Sequence, residues 1–121
     1  MAHPEGSRPL NREERSLIER VLSEELPGAE ELRGRVGRAR VVASWGPRSP
    51  SVDLWVERGA PAAPIPSGVV PVSCSVVDEG DDLVGEILLW VDSGFLSGIE
   101  YAWYGDAPPT TLPTTDRLIF A

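Results

Sequence analysis

Leu17, Ile18, Val21, Leu22 and Leu26 recur at helical spacing, whereas Glu13, Arg15, Glu19, Arg20 and Glu24 fall on the opposite side. The segment after Asn11 therefore predicts an amphipathic helix with one apolar stripe. Asn11 stands in the cap position with Glu14 three residues on, a pairing in which each side chain satisfies an orphan amide of the first turn. Leu26-Pro27-Gly28 stops this helix, and Pro27 can open a shorter second one with Leu32 and Val36 as its apolar contacts and Gly34 and Gly37 at its end. The two read as an N-terminal helical hairpin.

Past Arg38 the period changes to two. Arg40 to Trp45 reads as a strand rich in β-branched residues, and Gly46 to Pro50 as the turn that follows. Val52, Leu54 and Val56 then alternate with Asp53, Trp55 and Glu57, as in a strand with one wet side, which belongs to an antiparallel sheet. Residues 59–68, GAPAAPIPSG, cannot hold a ladder of hydrogen bonds and read as a surface loop. Val69 to Val77 resumes as a strand broken by Pro71, and Asp78 to Asp82 forms an acidic turn.

Leu83 to Val91 and Phe95 to Tyr104 flank Asp92-Ser93-Gly94, with glycine where a hairpin needs a left-handed residue. Gly98 marks a bulge, because it shifts the phase between Leu96 and the series Ile99, Tyr101, Trp103. Leu118-Ile119-Phe120 ends the chain as a docked tail or a short edge strand. Residues 1–9 hold almost nothing apolar and are expected to fray. The remainder, 10–121, reads as a single α+β domain: the helical hairpin packed on an antiparallel sheet of about five strands.

Composition narrows the chemistry. A chain of 121 residues, 41% hydrophobic and 25% charged, is ordinary for a globular protein. No apolar run approaches the length of a membrane span, and the N-terminus lacks the apolar core of a secretory signal, so a cytoplasmic, membrane-free protein is expected. All 11 cations are arginine. Phosphate loops and Schiff-base mechanisms both require the lysine that is missing. The single cysteine, Cys74, reads as a small buried strand residue, since it has no second thiol and the one histidine, His3, lies in the leader.

Charge is unevenly placed. Residues 1–48 carry nine arginines against eight acids, a sum of +1, and residues 49–121 carry two arginines against eleven acids, a sum of −9, giving the net −8. Nucleic acid is then an unsuitable ligand, because phosphate binding needs clustered cations. A basic protein is attracted to such a surface.

Four tryptophans, Trp45, Trp55, Trp90 and Trp103, fall in strands or at their ends, and most are expected in the core. Trp55 shares its face with Asp53 and Glu57, where an exposed aromatic among acids resembles a binding hot spot. Glu86 and Glu100 extend the acidic set on neighbouring strands. Neither a catalytic carboxylate spacing nor an EF-hand pattern is present, and no cofactor, metal site or catalytic residue is assigned.

WGPRSPSVDLWV (Trp45 to Val56) and GEILLWVDSGFLSGIEYAWYGDAPPTTLP (Gly85 to Pro113), with LSEELPGAEELR before them, resemble a family of small actinobacterial proteins of unassigned function. The resemblance spans about Leu10 to Pro113 and implies one folded unit of bacterial cytoplasmic origin; no functional residue comes with it. The leading expectation is a non-enzymatic protein-binding module, of the immunity or antitoxin kind, whose acidic sheet surface (Asp53, Trp55, Glu57, Glu86, Glu100) meets a basic partner. A small-ligand carrier with a tryptophan-lined apolar pocket and a structural homodimer are the alternatives.

Overall fold

A computed structural model describes residues 3–59 and 61–121. The first helix, α1 (Arg12–Val21), starts as the pattern requires: Asn11 Oδ1 accepts from the Glu14 amide at 2.8 Å and Glu14 Oε1 accepts from the Asn11 amide at 2.9 Å. Its stripe of Leu17, Ile18 and Val21 is buried together with Leu22. The second helix, α2 (Ala29–Arg33), has five residues and leads through a 3-10 turn (Val36–Arg38) into the sheet. The helix supplies Leu32 and the turn Val36 to the core, and five residues are too few to form a helical hairpin with α1. Gly28, in a left-handed conformation, starts α2, and a glycine opens a helix less well than a side chain that can cap.

The strands are β1 (Arg8–Pro9), β2 (Arg40–Ser44), β3 (Val52–Trp55), β4 (Gly68–Val69), β5 (Cys74–Val77), β6 (Leu83–Asp92), β7 (Phe95–Trp103) and β8 (Leu118–Phe120). They form one antiparallel sheet of eight strands in the order β1-β2-β3-β7-β6-β5-β8, with β4 also on β6. The count exceeds the expected five for identifiable reasons. Pro71 splits the segment from Val69 to Val77 into β4 and β5, which pair with successive halves of the same edge of β6. Leu118 to Phe120 docks on β5, and the leader adds β1.

In the leader, Arg8–Pro9 pairs with β2 and His3 lies near Trp55; Met1 and Ala2 lie outside the described residues. Arg8 stands opposite Val41, and Arg40 donates to the Ser7 hydroxyl at 2.8 Å and to the Ser7 carbonyl at 3.1 Å. Arg8 closes a bidentate pair on Glu14 with both distances 2.8 Å. The loop expected to wander is anchored as well. Ala63 and Ile65 are buried, and the Ala63 amide donates to the Gly94 carbonyl at 3.0 Å.

At the hairpin tip both central residues, Ser93 (φ 53°) and Gly94 (φ 86°), are left-handed, which gives the turn the twist of its strands. The bulge expected at Gly98 is present: Trp90 faces Gly98, Val91 faces Leu96, and Ser97 is the extra residue. One face of the sheet presents Val41, Val52, Leu54, Ile87, Leu89, Val91 and Ile99, and these join the α1 stripe in the core. Burying each such aliphatic side chain is worth about 1.5–3 kcal/mol. The other face is left open, and β6 and β7 aim Glu86, Leu88, Trp90 and Glu100 into it by the pleat alone.

Candidate functional site

Three of the acids singled out in the sequence meet on the open face. Asp53 on β3 stands opposite Gly98 on β7, Glu100 follows two residues later on the same face, and Glu100 stands opposite Leu88 on β6, two residues from Glu86. Asp53, Glu100 and Glu86 therefore run diagonally across three adjacent strands. Diagonal neighbours on one face lie about 7–8 Å apart, near enough to act jointly on one incoming cation. Among the described residues, none of the three makes an ion pair.

Tryptophans brace this line. Trp45 Nε1 donates to Asp53 Oδ1 and Trp90 Nε1 donates to Glu100 Oε1, each at 3.0 Å. Each indole fixes one carboxylate oxygen and leaves the second available. Trp45, Asp53, Trp90, Ser97 and Gly98 enclose a shallow depression of about 330 Å³, floored by the bulge where no side chain rises.

Trp55 and Glu57 belong to the same face by parity but lie toward the other end of β3. Trp55 stands opposite Arg40 and lies nearly perpendicular to the His3 ring, with centroids 6.3 Å apart. That end is half-covered by the leader and carries a cation, so these two residues are separate from the diagonal.

None of the four tryptophans is buried in the core, contrary to the expectation from their positions in strands. Aliphatic residues fill most of the covered face; Trp55 and Trp90 take the opposite parity, Trp103 is the last residue of its strand and Trp45 follows the end of β2. The contribution of Trp45 and Trp90 was missed in the sequence. Trp90 was recoverable, because its parity with Glu86 and Leu88 places it on the wet face once β6 is known to be covered on one side only.

Cys74 is buried, and burial pushes its thiol up to about 11, which fits the expected strand role and leaves no thiolate at neutral pH. The acidic turn is held by its own backbone: Asp78 Oδ1 accepts from the amides of Gly80 at 2.9 Å and Asp82 at 3.0 Å. Among the described residues no group of three potential ligands is assembled for a metal ion, and no helix is long and apolar enough to cross a membrane. No protein family, curated protein or solved structure matches the chain.

Proposed function

We propose that this protein is a binding module that docks a basic protein surface on the open face of its sheet. The observation that carries the reading is the diagonal of Asp53, Glu100 and Glu86, three carboxylates without an arginine partner among the described residues on a face that also exposes indole. Eleven arginines are available to the chain, yet the ion pairs they form lie elsewhere, at Glu14, Glu24, Asp92 and Glu79. An acidic face left unneutralised speeds encounter with a cationic partner and fixes its register. A role of the immunity or antitoxin kind meets this description, because a small acidic protein can cover the basic surface of a toxin.

The test is affinity capture at low ionic strength, followed by reconstitution with the purified captured protein. A basic protein whose binding weakens steeply as salt rises supports the reading. Capture of nothing, or binding that is indifferent to salt, removes it. A carrier role is less well supported, since Trp45, Trp90 and Trp103 line surface depressions and all four tryptophans stand outside the aliphatic core. A homodimer through a sheet edge has little strand to use, as β1 has two residues and β8 three.

A further inference from the structure

Trp103 stands on a ridge between two depressions. One, of about 670 Å³, is walled by Trp45, Pro47, Arg48, Glu100 and Pro108, and the other, of about 510 Å³, by Leu83, Tyr104 and Asp106. Tyr101, Trp103 and Pro109 line both. Large apolar groups stay in water here: Trp45 is 48% exposed, Trp103 44%, Leu83 and Tyr104 60%. Clustered exposure of this kind, rimmed by polar groups, marks an interaction surface, and aromatic side chains are its usual anchors.

The backbone supplies an independent observation. The ladder between β3 and β7 ends at Val52 opposite Ile99, and the Ser51 hydroxyl takes the Tyr101 amide at 2.9 Å. On its other side β7 stays paired with β6 as far as Trp103 opposite Gly85, and the Tyr104 amide donates to the Val84 carbonyl at 3.0 Å. An antiparallel ladder alternates between bonded and non-bonded pairs. With Tyr104 bonded toward β6, Trp103 turns its own amide and carbonyl to the opposite side, where β3 has already ended. That side is the 670 Å³ groove. Pro108 and Pro109 run beside it and have no N–H to donate to the Trp103 carbonyl, so the prolines cannot form the paired bonds of a ladder with it.

We propose that this groove takes an extended basic peptide segment of the partner, added along the Trp103 edge of β7. An arginine or lysine of the segment is directed at Glu100 beside Trp45, and its apolar neighbour, on the opposite face, packs on Trp103. The inference rests on the reading that a basic partner docks on the open face, and it names the element by which that partner is held. Glu100 selects a cationic side chain: it lines the 670 Å³ groove together with Arg48, and it has only the Trp90 indole on one of its two oxygens, while Asp106 borders the neighbouring depression. Main-chain pairing gives such a segment its affinity, and the flanking pockets give its specificity.

The experiment titrates a blocked octapeptide of alternating valine and arginine into the isotope-labelled full chain and follows amide and indole resonances. Saturable shifts are expected at the Trp103 amide and indole, with binding at least tenfold weaker in Trp103→Ala and severalfold weaker in Glu100→Gln. An octapeptide with glutamate in place of arginine should give no saturable shift, and N-methylation of alternate peptide amides should weaken binding at least tenfold. Glu100→Gln, a conservative change, carries the test should Trp103→Ala lower the folded fraction. Shifts confined to Asp53 and Glu86 with Trp103 unmoved would overturn the groove while leaving the open-face reading intact. Equal binding of both peptides at Trp103 would overturn the charge selection. A peptide that binds at Trp103 beside a basic protein that ignores Asp53 and Glu86 would remove the open-face reading alone.

Discussion

Trp90 and Glu100 are joined across the β6–β7 hairpin, the indole nitrogen donating to Oε1 at 3.0 Å, although neither stands opposite the other. The link is diagonal because Trp90 faces Gly98 and Glu100 faces Leu88. Gly98 leaves the indole room to lean toward the carboxylate, and the bulge at Ser97 sets the register that makes the diagonal possible.

Replacing Glu100 with alanine removes the acceptor and half-exposes the Trp90 indole. The expected cost is about 1 kcal/mol in urea unfolding, with a red shift of tryptophan emission in the folded state, and glutamine in its place should restore most of both. Identical emission in wild type and Glu100→Ala would contradict the brace.

Glu14 is almost fully buried and holds the start of α1 to the leader through Arg8. Burial pushes its carboxyl up, but the Arg8 guanidinium and the Asn11 amide outweigh that and hold it below the ordinary glutamate value. A lowered value in the folded chain means that the stabilisation is complete above the unfolded value near 4.3 and is lost as pH falls through the folded one. Urea unfolding between about pH 2 and 7 should show this fall in wild type and a shallower one in Glu14→Gln. Arg8→Ala should cost about 1–2 kcal/mol at pH 7, because the buried carboxylate loses its charged partner.

Gly94 combines a left-handed backbone with crowding: a Cβ there would meet Ala62 Cβ at 2.5 Å and the Ala63 amide nitrogen and carbonyl oxygen at 2.8 Å. Gly94→Ala should therefore destabilise by about 2 kcal/mol or more and release the loop of residues 61–67 to proteolysis. Ser93→Gly should be tolerated within about 0.5 kcal/mol, because glycine adopts the φ of 53° found there without strain. Limited proteolysis beside thermal unfolding distinguishes the two.

The Cys74 thiol, pushed up to about 11 by burial, should resist a thiol reagent at pH 8 in the folded chain and react at once in urea. The folded chain keeps its proton where the unfolded chain gives it up, so this group also makes stability fall as pH rises above about 8.5. Rapid labelling without denaturant would show that β5 opens more readily than its place between β6 and β8 implies.

Features written in local chemistry were legible in the sequence. The Asn11–Glu14 box, the stripe from Leu17, the Ser93-Gly94 turn and the bulge near Gly98 each depend on neighbours within a few positions, and the structure contains all four. Features that depend on distant parts of the chain were not legible. Arg8 finds Glu14 only because β1 lies on β2, the loop around Ala63 is fixed by the hairpin tip, and the split of β4 from β5 shows only against β6. The acids of the candidate site were identified singly, but their diagonal needed the strand order β3-β7-β6 and its register. Trp55 and Glu57 dropped out of that group for the same reason.

The central claim is that three unpaired carboxylates on the open face hold a basic partner. Its most direct measurement compares the captured partner's affinity for wild type and for the combined Asp53→Asn, Glu86→Gln, Glu100→Gln variant across a salt series. At about 0.2–1 kcal/mol per exposed charge pair, the variant should bind about tenfold more weakly at low salt and lose most of the salt dependence. Equal affinities and equal salt slopes would contradict the account.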